Sequence, residues 1–289
     1  MRPQRWRTCS SRSSREAVEV LGFKSVFKAD TMLRLWWLKN NRVMALLELV
    51  WPYTIIIVLI GLGTSYGSLE NFKRALGIED PILYVFASSS VAFAAVGIID
   101  NSAAVAQWHR WLGTLPYIMT SPLKLSTYVI ASGLSLSVLT VAMEYAVLLP
   151  GVLYFSGLEG LPRIGLVLAF LLLGMMPLIA IGGVAAMASL MVREEGNVMA
   201  FLNPLLLLLS GVFYPLEVLP RLLQLLSKAV PVSYVVDAAK AAATLQEGVA
   251  RDLFIVAYLI AAMIVVYNIA GLGFLGGLER ATRRRGATD

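Results

Sequence analysis

The chain has 289 residues, 58% of them hydrophobic and only 15% charged, with a mean hydropathy of +0.75 and a net charge of +6. Soluble domains carry about 25% charged residues, so this composition excludes a disordered chain and a nucleic-acid-binding one despite a pI near 9.5. The apolar residues fall in blocks of about 20, the length that spans a bilayer, and the chain reads as an all-α membrane protein.

A single cysteine, Cys9, and a single histidine, His109, leave no basis for a disulfide framework or a multi-ligand metal site. The basic N-terminal stretch has no adjoining apolar core and cleavage site, so it is not read as a signal peptide. Residues 1–45 are expected to form a cytoplasmic basic tail followed by an amphipathic interfacial helix. At about 100° per residue, Val18, Gly22, Val26, Ala29, Leu33 and Trp36 share one face, with Lys24, Lys28 and Lys39 opposite.

Six membrane spans are expected within residues 46–276, at about 46–66, 81–106, 125–155, 164–191, 198–212 and 253–275. The fifth is too short to cross unaided. Residues 277–289 read as a basic cytoplasmic tail. With both termini inside, the cytoplasmic segments hold seventeen of the 24 Lys and Arg residues and the outer ones seven, as the positive-inside rule requires. The basic excess then faces anionic lipid.

Between spans two and three, Trp108, Trp111, Leu112, Leu115 and Met119 recur at helical spacing, interrupted by Pro116 and closed by Ser121-Pro122. This predicts a short amphipathic helix that lies on the membrane or fills a groove on a partner. Within the spans, Asp100 and Glu144 are the conspicuous charges. Each is costly at that depth, which leaves two readings: an interhelical or snorkelling structural role, or the handling of protons or substrate.

After span five come Ser210-Gly211-Val212-Phe213-Tyr214-Pro215, Leu219-Pro220 and Pro231-Val232-Ser233-Tyr234, with Leu222, Leu223, Leu225 and Leu226 between the prolines. This pattern predicts a re-entrant or interfacial hairpin on the outer side, whose broken backbone must be satisfied by protein or water. No G-x-x-x-x-G-K-[ST] loop occurs, which excludes ATP hydrolysis by the P-loop route. The histidine count also disfavours a membrane enzyme.

These residues resemble type-2 permeases of ATP-binding-cassette exporters. The most specific segment runs from Asn203 to Lys240, with S-G-V-F-Y-P, L-P and P-V-S-Y ahead of Asp237-Ala238-Ala239-Lys240. A second similarity is Arg110-Trp111-Leu112-Gly113-Thr114-Leu115 followed by Ser121-Pro122, with Pro116 where relatives often carry an acidic residue. The resemblance implies a non-enzymatic transport subunit, paired with a second permease copy or a homologue and docked to a separate ATPase subunit. ATP and Mg would be bound by that partner, with no cofactor on this chain.

In that scheme the loop from Trp108 to Met119 is a coupling helix seated on the ATPase. Glu194 and Glu195, flanked by Arg193 and Gly196, make a second contact. Ser210, Gly211, Tyr214, Pro215, Pro220, Pro231 and Tyr234 shape a hairpin capping the path on the outside. The expected activity is outward movement of an amphipathic, drug-like or lipid-linked compound across a prokaryotic cell membrane. Two alternatives stand beside it: a polysaccharide exporter, with Tyr84, Phe86 and Phe93 lining a wide channel, and an ion-coupled carrier using Asp100 and Glu144.

Overall fold

The computed structural model describes residues 22–65, 74, 80–191, 198–212, 216–244 and 249–285, and all regular structure among them is helical. Helix α1 (Phe23–Asn40) leads into α2 (Arg42–Ser65), and α3 (Pro81–Trp111) is followed by the short α4 (Leu115–Thr120). Next come α5 (Leu125–Ser156), a 3-10 turn (Gly157–Glu159) and α6 (Gly160–Ser189). Then follow α7 (Val198–Ser210), a second 3-10 turn (Leu216–Val218), α8 (Arg221–Ala229), α9 (Pro231–Thr244) and α10 (Val249–Arg285).

Among the described residues three helical stretches are long and apolar enough to cross a membrane: Pro81–Trp111, Leu125–Ser189 and Leu253–Thr282. The pair Arg221–Ala229 and Pro231–Ala242, bent by 90°, makes a fourth if taken as one span. Leu125–Ser189 folds back on itself. Gly157 takes a φ of 61°, which glycine adopts without a steric penalty, and α5 and α6 on either side pack against each other. Helix α7 has 13 residues and rises only about 20 Å, less than the ~30 Å hydrocarbon core.

Helix α3 is apolar on all sides and occupies the centre, packing against α5 and α6 and also meeting α2, α7 and α9. Asp80 starts it, accepting from the Leu83 backbone N–H at 2.9 Å, with Pro81 in the first turn. The other Asp80 oxygen accepts from Ser156 Oγ at 2.8 Å, so one residue joins the start of α3 to the end of α5. Small residues let the three central helices approach closely. A Cβ on Gly133 of α5 would stand 2.6 Å from Ser102 Oγ, and one on Gly182 of α6 3.0 Å from the same atom.

Two apolar clusters result. The larger joins α3, α5, α6 and α9 through Phe86, Ile98, Leu148, Leu171 and Val235. The smaller sits at the α4 end, where Leu115 packs with Ala106, Leu125, Val129, Met187 and Leu275. Helix α9 was not anticipated as a helix. It buries Val232, Val235, Val236 and Ala239 against the bundle.

The N-terminal helix also differs in part from the amphipathic reading. It docks on α5 through a polar strip: Asp30 accepts from Ser132 Oγ, and the hydroxyls of Thr31 and Ser135 pair at 2.7 Å. Leu33 and Trp36 of the expected apolar face point away from the bundle and are exposed. Residues 1–21, including the start of that face at Val18, lie outside the described residues.

Candidate functional site

The expected apolar stripe is split in the structure. Trp108, Trp111 and Leu112 end α3, and Gly113 turns the chain with a φ of 68° before α4 begins at Leu115. That left-handed turn rotates α4 relative to α3, so Leu115 does not continue the tryptophan stripe. Leu115 is 6% exposed inside the smaller core cluster, whereas Trp108 is 57%, Trp111 72% and Tyr117 77% exposed. The two indoles lie 5.3 Å apart, centroid to centroid. One buried leucine thus seats α4 on the bundle, and an aromatic platform faces outward.

Two polar links fix this loop. His109 Nδ1 lies 2.8 Å from Thr114 Oγ1, and Tyr128 Oη lies 2.8 Å from His109 Nε2. Thr114 Oγ1 donates to the His109 carbonyl at 3.3 Å, so a neutral imidazole protonated on Nδ1 satisfies all three groups. The second link was invisible in the sequence. Glu279 of α10, 8% exposed, accepts from the Leu125 N–H at 3.2 Å and from Ser126 Oγ at 2.6 Å. Lys124 supplies no side-chain cap to α5. The distant carboxylate therefore takes an orphan donor of that helix and meets its positive dipole end.

Of the hairpin residues, Ser210, Gly211, Pro220, Pro231 and Tyr234 are described, and the neighbouring Val212 carbonyl accepts from Tyr84 Oη near the start of α3, the end remote from Trp108. Gly211 has a φ of 71°, and a Cβ there would lie 2.8 Å from Leu216 Cγ, so a glycine is required on both counts. Ser210 Oγ accepts from the Val212 N–H at 3.3 Å. Pro220 caps α8 and Pro231 opens α9. Between them the last three carbonyls of α8 are each taken by a hydroxyl. Ser233 donates to Ser227 at 3.0 Å, Tyr234 to Lys228 at 2.9 Å, and Tyr267 of α10 to Ala229. The broken backbone is satisfied by protein groups at this break.

Of the two intramembrane acids, Asp100 has a partner. The Asn203 amide nitrogen of α7 lies 2.8 Å from each of its carboxylate oxygens. Glu144 is buried in α5, and neither of its oxygens has a hydrogen-bond partner among the described residues. One helical position on, Tyr145 Oη accepts from Ser90 Oγ at 3.3 Å. On α1, burial raises the Asp30 carboxyl above its ordinary 3.8.

Glu194, Glu195, Tyr214 and Pro215 lie outside the described residues, as do Arg193 and Gly196. Arg110 and Thr114 flank the platform. The residues missed by sequence reasoning are Glu279, Tyr267 and Asn203 as the partner of Asp100. Only Asn203 had a signal, since it opens the most specific motif segment.

The description of the ABC-2 type transporter family matches residues 32–243 of the chain. That range includes both the platform and the hairpin. None of the curated proteins compared with the chain matches it.

Proposed function

The chain belongs to the ABC-2 type transporter family, and from that premise we propose that it is the permease subunit of an ATP-driven exporter. It moves an amphipathic, drug-like or lipid-linked compound outward across a prokaryotic cell membrane. Six spans are formed by α2, α3, α5, α6, α7 extended by the α8–α9 hairpin, and α10, with both termini in the cytoplasm. Two copies pair around the path. Each docks a separate ATPase subunit, which binds the ATP and Mg.

The observation that carries this reading is the aromatic platform of Trp108, Trp111 and Tyr117, exposed beside the buried Leu115. Exposed indoles at the end of α3, beside a short helix anchored by a leucine, have the makings of an interface hot spot. Arg110, Leu112, Gly113 and Thr114 complete the surface, and Glu194 with Glu195 supply a second contact. Truncating a hot-spot aromatic costs about 2 kcal/mol, roughly thirty-fold in affinity. Co-purification of the ATPase from detergent extracts tests it. Trp108→Ala with Trp111→Ala should lose the ATPase while the chain still inserts, and undiminished co-purification would overturn the docking assignment.

The ion-coupled carrier remains as a second reading because of Glu144, whose buried carboxyl has no partner among the described residues. Gradient-driven proton uptake into ATP-free proteoliposomes, abolished by Glu144→Gln, would favour it. The polysaccharide variant gains nothing from Tyr84 and Phe86, which are packed in the core.

A further inference from the structure

Two independent contacts set the last turn of α8 level with the middle of the apolar helix α10 and the end of α7. The Ala229 carbonyl accepts from Tyr267, which stands midway along the apolar stretch Leu253–Thr282. About 21 Å of helix separates it from Leu253, and about 18 Å of uncharged helix separates it from Glu279 on the other side. On the other flank, Ser227 Oγ donates to the Leu209 carbonyl in the last turn of α7, a helix too short to reach the far surface. At this depth Lys228 is exposed, as is Arg221 at the other end of α8. At about 100° per residue the two fall on one strip. Neither side chain makes an ion pair among the described residues.

A cation at hydrocarbon depth is costly and faces a water-filled cavity or a partner charge. Beside the strip, Leu222, Leu225 and Leu226 are also exposed. A row of cations next to a row of leucines matches a molecule with an anionic headgroup and an apolar chain. We propose that α8 lines the translocation path and that Lys228 and Arg221 select an anionic amphiphile as the transported substrate. The proposal rests on the exporter reading and names its substrate class.

The test has two arms. In the first, Cys9→Ser removes the native thiol and Leu225→Cys places a probe between the two strips, with Leu226→Cys as a second position if insertion suffers. Anionic sulfonatoethyl and cationic trimethylammonioethyl methanethiosulfonates are then compared. Both should react, and the anion-to-cation rate ratio is the readout. A unit charge about 8 Å away in water changes each rate by roughly two-fold, in opposite senses for the two reagents, so each cation shifts their ratio about four-fold and removing both with Lys228→Gln and Arg221→Gln should lower the anion preference about sixteen-fold. In the second arm, the complex with its ATPase is placed in phosphatidylcholine vesicles. Dodecyl phosphate should stimulate ATP hydrolysis, dodecyltrimethylammonium should not, and Lys228→Gln should lose the response.

A cysteine closed to both reagents, because lipid or a second copy covers the face, would overturn the proposal. So would an unchanged rate ratio, or stimulation by the cationic amphiphile. All three leave the exporter reading standing. Failure of the chain to assemble with any ATPase overturns that reading instead, and is seen before either amphiphile is added.

Discussion

The Asn203 amide nitrogen sits 2.8 Å from both carboxylate oxygens of Asp100, so one side chain of α7 holds one side chain of α3 through the whole of its charge-bearing end. Helix α7 is short and its packing on α3 is limited to a few turns. A charge-assisted contact there fixes its register where apolar area is scarce. This geometry supports the structural reading of Asp100. It leaves Glu144, which has no such partner among the described residues, as the acid whose role is open to a functional test.

A double-mutant cycle between Asp100→Ala and Asn203→Ala should therefore give a positive coupling energy. Interhelical hydrogen bonds in membranes average about 0.6 kcal/mol and reach about 1.7. Unfolding of the detergent-solubilised chain, measured for the two single variants and the pair, reads it directly. Strict additivity would show that the contact does not stabilise the fold. Asp100→Asn should retain ATP-driven transport.

Glu279 supports the start of α5 from 153 residues away, through Ser126 and the neighbouring Leu125 N–H. Losing a helix N-terminal acceptor typically costs about 1 kcal/mol. Glu279→Ala should accordingly speed hydrogen exchange at the Leu125 and Ser126 amides, and Glu279→Gln should have a smaller effect because its amide oxygen still accepts. Exchange rates unchanged in both variants would mean that the contact carries no stability.

The apolar blocks were legible because each helix that crosses or enters the membrane must be apolar over most of its length. The expected block at 81–106 lies within α3, and that at 125–155 within α5. Helix α9 was hidden by Ser233, Asp237 and Lys240, although Val232, Val235, Val236 and Ala239 stand at helical spacing. The stripe from Trp108 to Leu115 misled because one glycine with a positive φ resets the helical phase, which periodicity cannot register. The pairing of Glu279 with Ser126 has no local signal, since it is created by the packing of α10 near the start of α5.

Docking of α1 should depend on pH through Asp30. Burial raises its carboxyl above the ordinary 3.8, so the docked helix binds more protons than the free one. Docking is then strongest below pH 3.8 and weakens as the pH rises through the raised value. Asp30→Asn removes the charge but keeps an acceptor for Ser132, and should strengthen docking at neutral pH and flatten the pH dependence. Hydrogen exchange across Phe23–Asn40 at pH 4 and pH 7 measures both effects, and an opposite slope would contradict the assignment.

The platform and its anchor should separate cleanly by mutation, because the structure gives Trp111 and Leu115 opposite environments. Leu115 is 6% exposed among Leu125, Val129 and Met187, and Trp111 is 72% exposed at the end of α3. Leu→Ala in a packed core costs about 2–5 kcal/mol through lost contacts and a residual cavity. Leu115→Ala should therefore lower the unfolding temperature of the solubilised chain alone, with no ATPase present. Trp111→Ala removes surface only and should leave that temperature nearly unchanged. Tyr117→Ala, at the outer face of α4, should behave like Trp111→Ala. In the assembled complex the order reverses. Both aromatic variants should weaken ATPase binding, whereas Leu115→Ala should weaken it only at temperatures where α4 has come loose. If Leu115→Ala instead left the isolated chain as stable as the parent, the leucine would not be the anchor, and the platform would have no fixed base from which to transmit motion into α3 and α5.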